Sequence, residues 1–199
     1  KRHGAVGVMQ YFDDGYLPEA VLNYLVRLGW SHGDQEIFSI EEMIELFALD
    51  DINKSASSFN TDKLNWINQQ YMMSLPLNGI VDLVKQRLEV INVSVTDDIN
   101  IDTIVDLYRQ RVSTINQLAE SIMYCFKEFD EYDAKAAKKA LRSDALEPLK
   151  CLGEGLETLT DWRAETIHQV IQEVTEQLEV GMGKVGQPLR VAVTGGSFS

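Results

Sequence analysis

The spacing of apolar residues is the feature of this sequence that most restricts its fold. In the segment LPEAVLNYLVRLGW, Leu17, Val21, Leu22, Leu25 and Leu28 follow intervals typical of one face of an amphipathic helix. The segment NTDKLNWINQQYM repeats this pattern, and the alternation expected of strands is almost absent elsewhere. We therefore predict an all-α protein built of short helices with short connections.

Helix-end signals support this prediction. Pro18 suits a first helical turn and Gly29 a helix end, while Ser39 followed by Glu42 forms a capping box. On the next helix we expect one face to carry Leu64, Ile67 and Tyr71, with Trp66 beside them. Further helices are predicted at about 77–91, 97–112, 114–128, 133–142, 144–159 and 163–180.

The end of the sequence breaks the helical pattern. Only LRVAV there suggests an extended segment, and Pro188 with the pair Gly195 and Gly196 predicts a stiff turn that carries Arg190. Composition shifts at SLPLNG and near CFKEFDEYD mark two candidate seams, the first at Pro76–Gly79. The chain is therefore expected to contain up to three subdomains.

Composition narrows the function classes. The chain has 199 residues, of which 45% are hydrophobic and 25% charged, and a formal net charge of −13. This acidity argues against unspecific nucleic-acid binding, although recognition by a few local arginines stays open. Cys125 and Cys151 are expected to be reduced core residues. With neither a signal peptide nor a membrane-spanning stretch recognisable, we expect a cytoplasmic protein.

No catalytic or metal-binding constellation is complete. His3, His32 and His168 lie far apart, without cysteine or carboxylate partners at metal-ligand spacing, so we predict no metal site. The segment EVGMGKVG lacks the pattern of a phosphate-binding loop around Lys184. Paired carboxylates at helix starts are accounted for by the helix dipole or by solvation.

Two arginine motifs are less easily explained. LYRQRVSTI places Arg109 and Arg111 at a helix end, where they either favour the helix dipole or serve as contacts. QPLRVAVTGG holds Arg190 beside Pro188, either in a purely structural turn or as a pre-organised planar contact.

Three long blocks of the sequence resemble bacterial glutamyl-tRNA synthetase, a class I aminoacyl-tRNA ligase. They are KRHGAVGVMQYFDDGYLPEAVLNYLVRLGWSHGDQEIFS, FNTDKLNWINQQY and EQLEVGMGKVGQPLRVAVTGG. Residues from about 77 to 160 match mainly in helix pattern. The resemblance implies a multi-helix stem-contact region at 1–75, then two helical-bundle anticodon-binding subdomains at 76–130 and 131–199.

The resemblance also implies that the family's sequence continues on both sides. Lys1 and Arg2 would end the family's lysine-rich signature, with Lys1 stabilising the triphosphate of ATP. The nucleotide-binding fold, which uses ATP with Mg²⁺ and L-glutamate, would lie upstream. We therefore expect this chain alone to bind no cofactor and to be inactive in the ligase reaction, with glutamate tRNA as its partner, no membrane partner and a monomeric state.

Specific tRNA contacts follow by resemblance. Arg111 would contact the third anticodon base, and Arg190, Gln187 and Ser199 would contact the anticodon loop. A set of basic side chains is hypothesised to contact phosphates: Lys54, Lys63, Lys138, Lys139, Arg142 and Lys184.

Two alternatives remain. Bacterial glutaminyl-tRNA synthetases carry β-barrel anticodon domains, which the helical pattern disfavours. A non-enzymatic helical adaptor with acidic protein-binding faces is the alternative from another class.

Overall fold

The computed structural model describes residues 7–53, 57–96 and 98–196. Within these ranges every regular element is a helix, and an isolated β-bridge between His32 and Gln35 lies in a loop. The predicted all-α fold is confirmed. The chain forms two compact units, residues 1–126 and 127–199.

The first unit contains seven α-helices among its described residues. Two short 3-10 helices, Leu49–Asp51 and Met123–Cys125, accompany them. The α-helices are α1 (Val8–Asp13), α2 (Pro18–Gly29), α3 (Ile40–Leu46), α4 (Thr61–Ser74), α5 (Leu77–Val90), α6 (Ile101–Tyr108) and α7 (Ile115–Ile122).

One core joins helices α2, α4, α5, α6 and α7 of the first unit. Helix α2 packs against α4, and α5 packs against α6 and α7. Their buried side chains form a continuous cluster that runs from Leu17 to Ile122 and includes Leu64, Ile67 and Tyr71, as predicted for α4. Trp30, Phe38 and Met43 form a smaller cluster beside α3.

The predicted boundary at 75/76 lies inside this first unit. Leu75 and Pro76 separate α4 from α5, so the helix breaks where the composition shifts. Hydrogen bonds nevertheless link the two sides: Ile115 N donates to Gly15 O at 2.9 Å, and Asn68 Nδ2 donates to Ser113 O at 2.6 Å. The division into parts 1–75, 76–130 and 131–199 stays a prediction about function.

Local end signals are confirmed, but the predicted apolar stripe of α2 is partly wrong. Pro18 begins α2 and Gly29 ends it, and Ser39 and Glu42 form the capping box. Leu22 and Leu25, however, are 42% and 51% exposed. The face that meets α4 is instead formed by Ala20, Asn23 and Tyr24. The buried face follows the position of α4, which the spacing of leucines alone does not reveal.

The second unit contains four α-helices among its described residues and the 3-10 helix Ser143–Ala145. Its core consists of Leu152, Val170, Val174 and Val185. The α-helices are α8 (Ala134–Ala140), α9 (Leu146–Glu157), α10 (Ala164–Gln177) and α11 (Met182–Thr194). Helices α9, α10 and α11 pack against one another, and α8 packs against α11.

The end of α11 is fixed to the beginning of the second unit. Gly195 has a φ of +72°, and a Cβ atom there would lie 2.8 Å from ring atoms of Phe129. Its carbonyl accepts a hydrogen bond of 2.8 Å from Asp133 N. Both the left-handed backbone and the close ring require glycine at this position.

The predicted stiff turn around Arg190, and the extended reading of LRVAV, are wrong. Residues Met182–Thr194 are one α-helix with Pro188 inside it, and only Gly195 leaves the helical conformation. A proline removes one backbone hydrogen bond and usually disfavours a helix interior. Here Val185, Pro188 and Val191 are all buried at intervals of three. Tertiary packing of this face therefore outweighs the local preference.

Candidate nucleic-acid interface

Arg109, near the end of α6, is a structural residue. Its guanidinium donates to the carbonyls of Met72 at 3.3 Å and Leu75 at 3.1 Å, and it forms an ion pair of 2.7 Å with Asp106. Only 16% of its side chain is exposed. The last carbonyls of a helix lack partners within that helix. Arg109 thus supplies donors to the end of α4, rather than acting only on the dipole of its own helix.

Arg111, two residues later, is not held by hydrogen bonds to the fold as Arg109 is. It is exposed, and its Cζ lies 5.8 Å from the centroid of the Tyr108 ring, within the range of a cation–π contact. Among the described residues its side chain has no hydrogen-bond or ion-pair partner. Its donors therefore remain free on the side away from Tyr108, where they can meet the planar acceptor edge of a ligand.

The loop that carries Arg111 is fixed by side chains on both sides of it. Gln69 Nε2 donates to Gln110 O at 2.9 Å, and Asn68 Nδ2 donates to Ser113 O. Ser113 N in turn donates to Gln117 Oε1 at 2.8 Å. An arginine on a fixed backbone loses less conformational entropy when it binds.

The ring beneath Arg111 is also held in position. The hydroxyls of Tyr108 and Tyr124 lie 2.9 Å apart, in hydrogen-bond contact. Burial, followed by the hydrogen bond to Tyr108, raises the pKa of Tyr124 well above its ordinary value. The hydroxyl contact with Tyr124 thus holds the Tyr108 ring in place.

Gln187 and Arg190 lie three residues apart on α11, on the same helix face. Gln187 is exposed and Arg190 is partly buried, between the buried residues Pro188 and Val191. Neither side chain has a hydrogen-bond or ion-pair partner in the described part of the chain. The pair offers amide and guanidinium groups that are free to bind.

A groove of about 540 Å³ in the second unit contains several of the basic residues hypothesised to bind phosphate. We call it the basic groove. Helix α8, the segment around the 3-10 helix Ser143–Ala145, and α11 form its walls. Its lining residues are Asp133, Lys135, Ala136, Lys139, Ala140, Arg142, Asp144, Ala145, Gly183, Lys184, Gln187, Pro188 and Val191.

Two other hypothesised phosphate contacts, Lys63 and Lys138, are not among the residues that line this groove. Lys63, in the first unit, forms an ion pair of 3.0 Å with Glu36 and lies 4.5 Å above the Trp66 ring. Partial burial opposes ionisation of Glu36, but the hydrogen bonds and charges of Arg27 and Lys63 together lower its pKa. Lys63 therefore shares the single carboxylate of Glu36 with Arg27.

Four residues with predicted roles fall outside the described part of the chain: Lys1, Arg2, Lys54 and Ser199. Their predicted roles stay predictions. Within the described ranges, no group of three or more histidine, cysteine, aspartate or glutamate side chains is arranged to hold a metal ion. No helix in those ranges combines the length and the apolar character that crossing a membrane requires.

Sequence reasoning missed two parts of this arrangement. Tyr108 was not assigned a role, although its spacing of three from Arg111 is a signal for a contact across one helical turn. Lys135 was also missed; its spacing of four from Lys139 aligns the two side chains on α8.

Comparison with known proteins identifies the family. The family described as "Anticodon binding domain" matches residues 40–199, and "tRNA synthetases class I (E and Q), catalytic domain" matches residues 1–66. A glutamate tRNA ligase from Elizabethkingia meningosepticum, crystallised in complex with its amino acid, is 34% identical with a TM-score of 0.77. The match covers 94% of this chain and 37% of that protein.

A second similar structure is the glutamate-tRNA synthetase from Elizabethkingia anophelis. It is also 34% identical, with a TM-score of 0.73, over 94% of this chain and 36% of that one. The chain thus spans little more than a third of the length of either protein. It belongs to the anticodon-binding domain family, and the resemblance to bacterial glutamyl-tRNA synthetases expected from its sequence is confirmed.

Proposed function

We propose that this chain is the tRNA-reading part of a glutamate–tRNA ligase and that Arg111 reads the third anticodon base. The observation that carries the proposal is the free guanidinium of Arg111, in cation–π contact with Tyr108 within a loop fixed by Asn68 and Gln69. The family match over residues 40–199 supports the same role.

The chemistry of the bases explains how Arg111 would discriminate. Cytosine, the third anticodon base of glutamate tRNA, presents O2 and N3 as acceptors, which the paired donors of a guanidinium match. Guanine, which glutamine tRNA has at that position, presents N1–H and N2–H donors along the same edge. Donors would then face donors, and the unpaired polar groups would disfavour the wrong tRNA.

Gln187 and Arg190 supply a second contact in this proposal. Their shared face on α11 offers both donors and an acceptor to a base of the anticodon loop. Ser199 would add a hydroxyl contact with an anticodon base.

The longer protein would attach glutamate to its tRNA with ATP and Mg²⁺, in the cytoplasm and as a monomer. The class I catalytic-domain match at residues 1–66 supports the use of ATP, with Lys1 ending the triphosphate-binding signature. Neither the described residues nor the protein matches contain a feature that favours the alternative of a non-enzymatic adaptor.

Arg111→Gln tests the proposal directly. Affinity of the 199-residue chain is measured for transcripts of glutamate tRNA that carry either C or G at the third anticodon position. The substitution should reduce the preference for C by about 1–3 kcal/mol, the usual scale for a specific base contact. Arg111→Lys should restore little, because an ammonium lacks the planar fork.

The control is Lys85→Gln, which removes one exposed positive charge from α5 in the same unit. It should leave the preference for C unchanged. Arg109 is unsuitable as a control, because its hydrogen bonds to Met72 and Leu75 stabilise the fold. If Arg111→Gln weakened binding of both transcripts equally, Arg111 would be a phosphate-contacting residue and the proposal would fail.

A further inference from the structure

We propose that the basic groove binds a backbone phosphate of the RNA, next to the bases contacted from α11. This inference rests on the proposed function and assigns a subsite that the base contacts do not include. Four positive side chains line the groove, Lys135, Lys139, Arg142 and Lys184, against two carboxylates. In a chain with a net charge of −13, this is a local reversal of sign.

Neither carboxylate is free to neutralise the whole groove. Asp133 accepts a hydrogen bond of 2.7 Å from Ala136 N and so caps α8. Asp144 accepts one of 2.8 Å from Lys184 Nζ. The hydrogen bond and charge of Lys184 lower the pKa of Asp144, which keeps this pair ionised. Lys184 is therefore compensated by Asp144, and Lys135, Lys139 and Arg142 together face the single carboxylate of Asp133.

Three cations retain donors for a ligand. Lys135 and Lys139 have no hydrogen-bond or ion-pair partner among the described residues. Arg142 uses its Nε to donate to Lys138 O at 3.2 Å, which leaves its two terminal nitrogens free. An i, i+4 pair of lysines beside a fixed guanidinium suits an anion with several acceptor oxygens.

The floor of the groove suits a nucleotide better than a bare ion. Buried apolar residues from both walls form it: Ala136, Ala145, Pro188 and Val191. A volume of about 540 Å³ also exceeds what a single phosphate group fills. A phosphodiester with its ribose would place oxygens against the cations and the sugar against this floor.

Gln187 connects the groove to the base-contacting face. It lines the groove and lies three residues before Arg190 on α11. A chain of nucleotides with one phosphate in the groove would therefore carry the neighbouring base toward Arg190. Phosphate contacts of this kind fix the register of an RNA, while the base contacts read its sequence.

The test measures RNA affinity across a series of salt concentrations for the 199-residue chain and for Lys139→Gln and Arg142→Gln. Each substitution removes one phosphate contact and hence the release of one counterion on binding. It should therefore weaken binding about fourfold at about 0.15 M salt and reduce the slope of log affinity against log salt by about 0.7. The loss should be equal for transcripts with C or G in the anticodon.

Lys138→Gln is the matched control, since it removes the same charge from the adjacent position of α8 but lies outside the groove lining. It should change the slope by clearly less than Lys139→Gln does. Equal effects of the two would mean that only the general field of α8 matters, and the phosphate site would be overturned.

Further measurements identify the source of the phosphate and distinguish the phosphate site in the groove from the base contact of Arg111. Inorganic phosphate at constant ionic strength should not displace the RNA; displacement that depends on Lys139 would make a free anion the ligand and overturn the proposal. Displacement of the RNA by an acidic peptide, lost in Lys139→Gln, would assign the groove to a protein partner instead. If Lys139→Gln and Arg142→Gln leave the salt slope unchanged while Arg111→Gln loses the preference for C, only the phosphate site in the groove is refuted. If the two groove variants reduce the salt slope while Arg111→Gln keeps the preference for C, only the base contact is refuted.

Discussion

A buried asparagine, Asn23, shows how single residues hold the first unit together. It is fully buried, and its Oδ1 accepts a hydrogen bond from Phe38 N at 2.8 Å. The Tyr71 hydroxyl lies 2.9 Å from the same Oδ1 and shares its single proton between it and the carbonyl of Phe38. Its Nδ2 donates to Glu36 O at 2.9 Å. The amide therefore joins α2, the segment before α3, and α4, with each of its polar atoms satisfied, as burial demands.

Tyr71 makes this network sensitive to alkaline pH. Burial raises the pKa of Tyr71 to about 12, with smaller contributions from Glu19 and Glu42. Because the unfolded chain ionises first, near the ordinary value of 10.0, the stabilisation is fully present below that pH. It is lost as the pH rises toward the folded-state value. Between about pH 9 and about pH 11, the free energy of unfolding should fall by about 1.4 kcal/mol more in the unmodified chain than in Tyr71→Phe.

Urea unfolding of both chains at each pH checks this expectation. Tyr132→Phe, which changes an exposed tyrosine in the second unit, keeps the number of tyrosines matched. Parallel pH profiles for Tyr71→Phe and the unmodified chain would show that the phenol is equally acidic before and after unfolding.

At the scale of the helix, α9 contains two glycines with contrasting surroundings. A Cβ atom at Gly155 would lie 2.6 Å from Val170 Cγ1 on α10, whereas one at Gly153 would meet nothing within 4 Å. Val170 is buried and its branched side chain has few alternative rotamers. The absence of a side chain at Gly155 thus allows the close approach of α9 and α10.

Alanine substitutions should distinguish the crowded position of Gly155 from the open position of Gly153. Gly153→Ala should stabilise the chain by up to about 1 kcal/mol, because alanine loses less backbone entropy in a helix. Gly155→Ala should destabilise it by about 1–3 kcal/mol through overpacking, despite the same gain in helix propensity. Thermal unfolding of both variants measures the difference; stabilisation by both would mean that Val170 moves aside at little cost.

The helices also show which features local sequence predicts. Ser39 with Glu42 and the proline at Pro18 act within one turn, so the ends they mark agree with the structure. The buried face of α2 and the helical course of α11 depend on which helix packs against them. The residues next to Leu22 and Pro188 in the sequence do not show which helix packs against α2 or α11.

The candidate site also has features that the sequence predicts and features that only the structure shows. The resemblance assigned Arg111, but its cation–π contact with Tyr108 and the hydrogen bond between Tyr108 and Tyr124 required the structure. The basic groove combines residues of α8 and α11 that lie about fifty positions apart, so no local motif predicts it.

At the scale of the whole molecule, the acidic surface restricts how RNA can bind. Like charges oppose phosphate contact over most of the chain, while the groove provides local compensation. Such a distribution favours a small number of phosphate contacts and hence a shallow salt dependence. Selectivity then depends mainly on directional contacts such as that of Arg111.

The 199-residue chain alone should not activate glutamate. It spans little more than a third of the length of the ligases it matches, and only residues 1–66 match the class I catalytic domain. We expect no glutamate-dependent exchange of pyrophosphate into ATP by the purified chain, under conditions in which it binds tRNA. Measurable exchange that requires glutamate would contradict this expectation and place the activating chemistry within these residues.

The contact between Gly195 and Asp133 brings the two ends of the four-helix segment together. Both ends lie beside Phe129, because the Gly195 carbonyl accepts from Asp133 N at 2.8 Å. A unit whose ends lie close together tolerates circular permutation well. Joining these two ends and opening a loop elsewhere in the unit should therefore leave the groove and the base-contacting face of α11 together and intact.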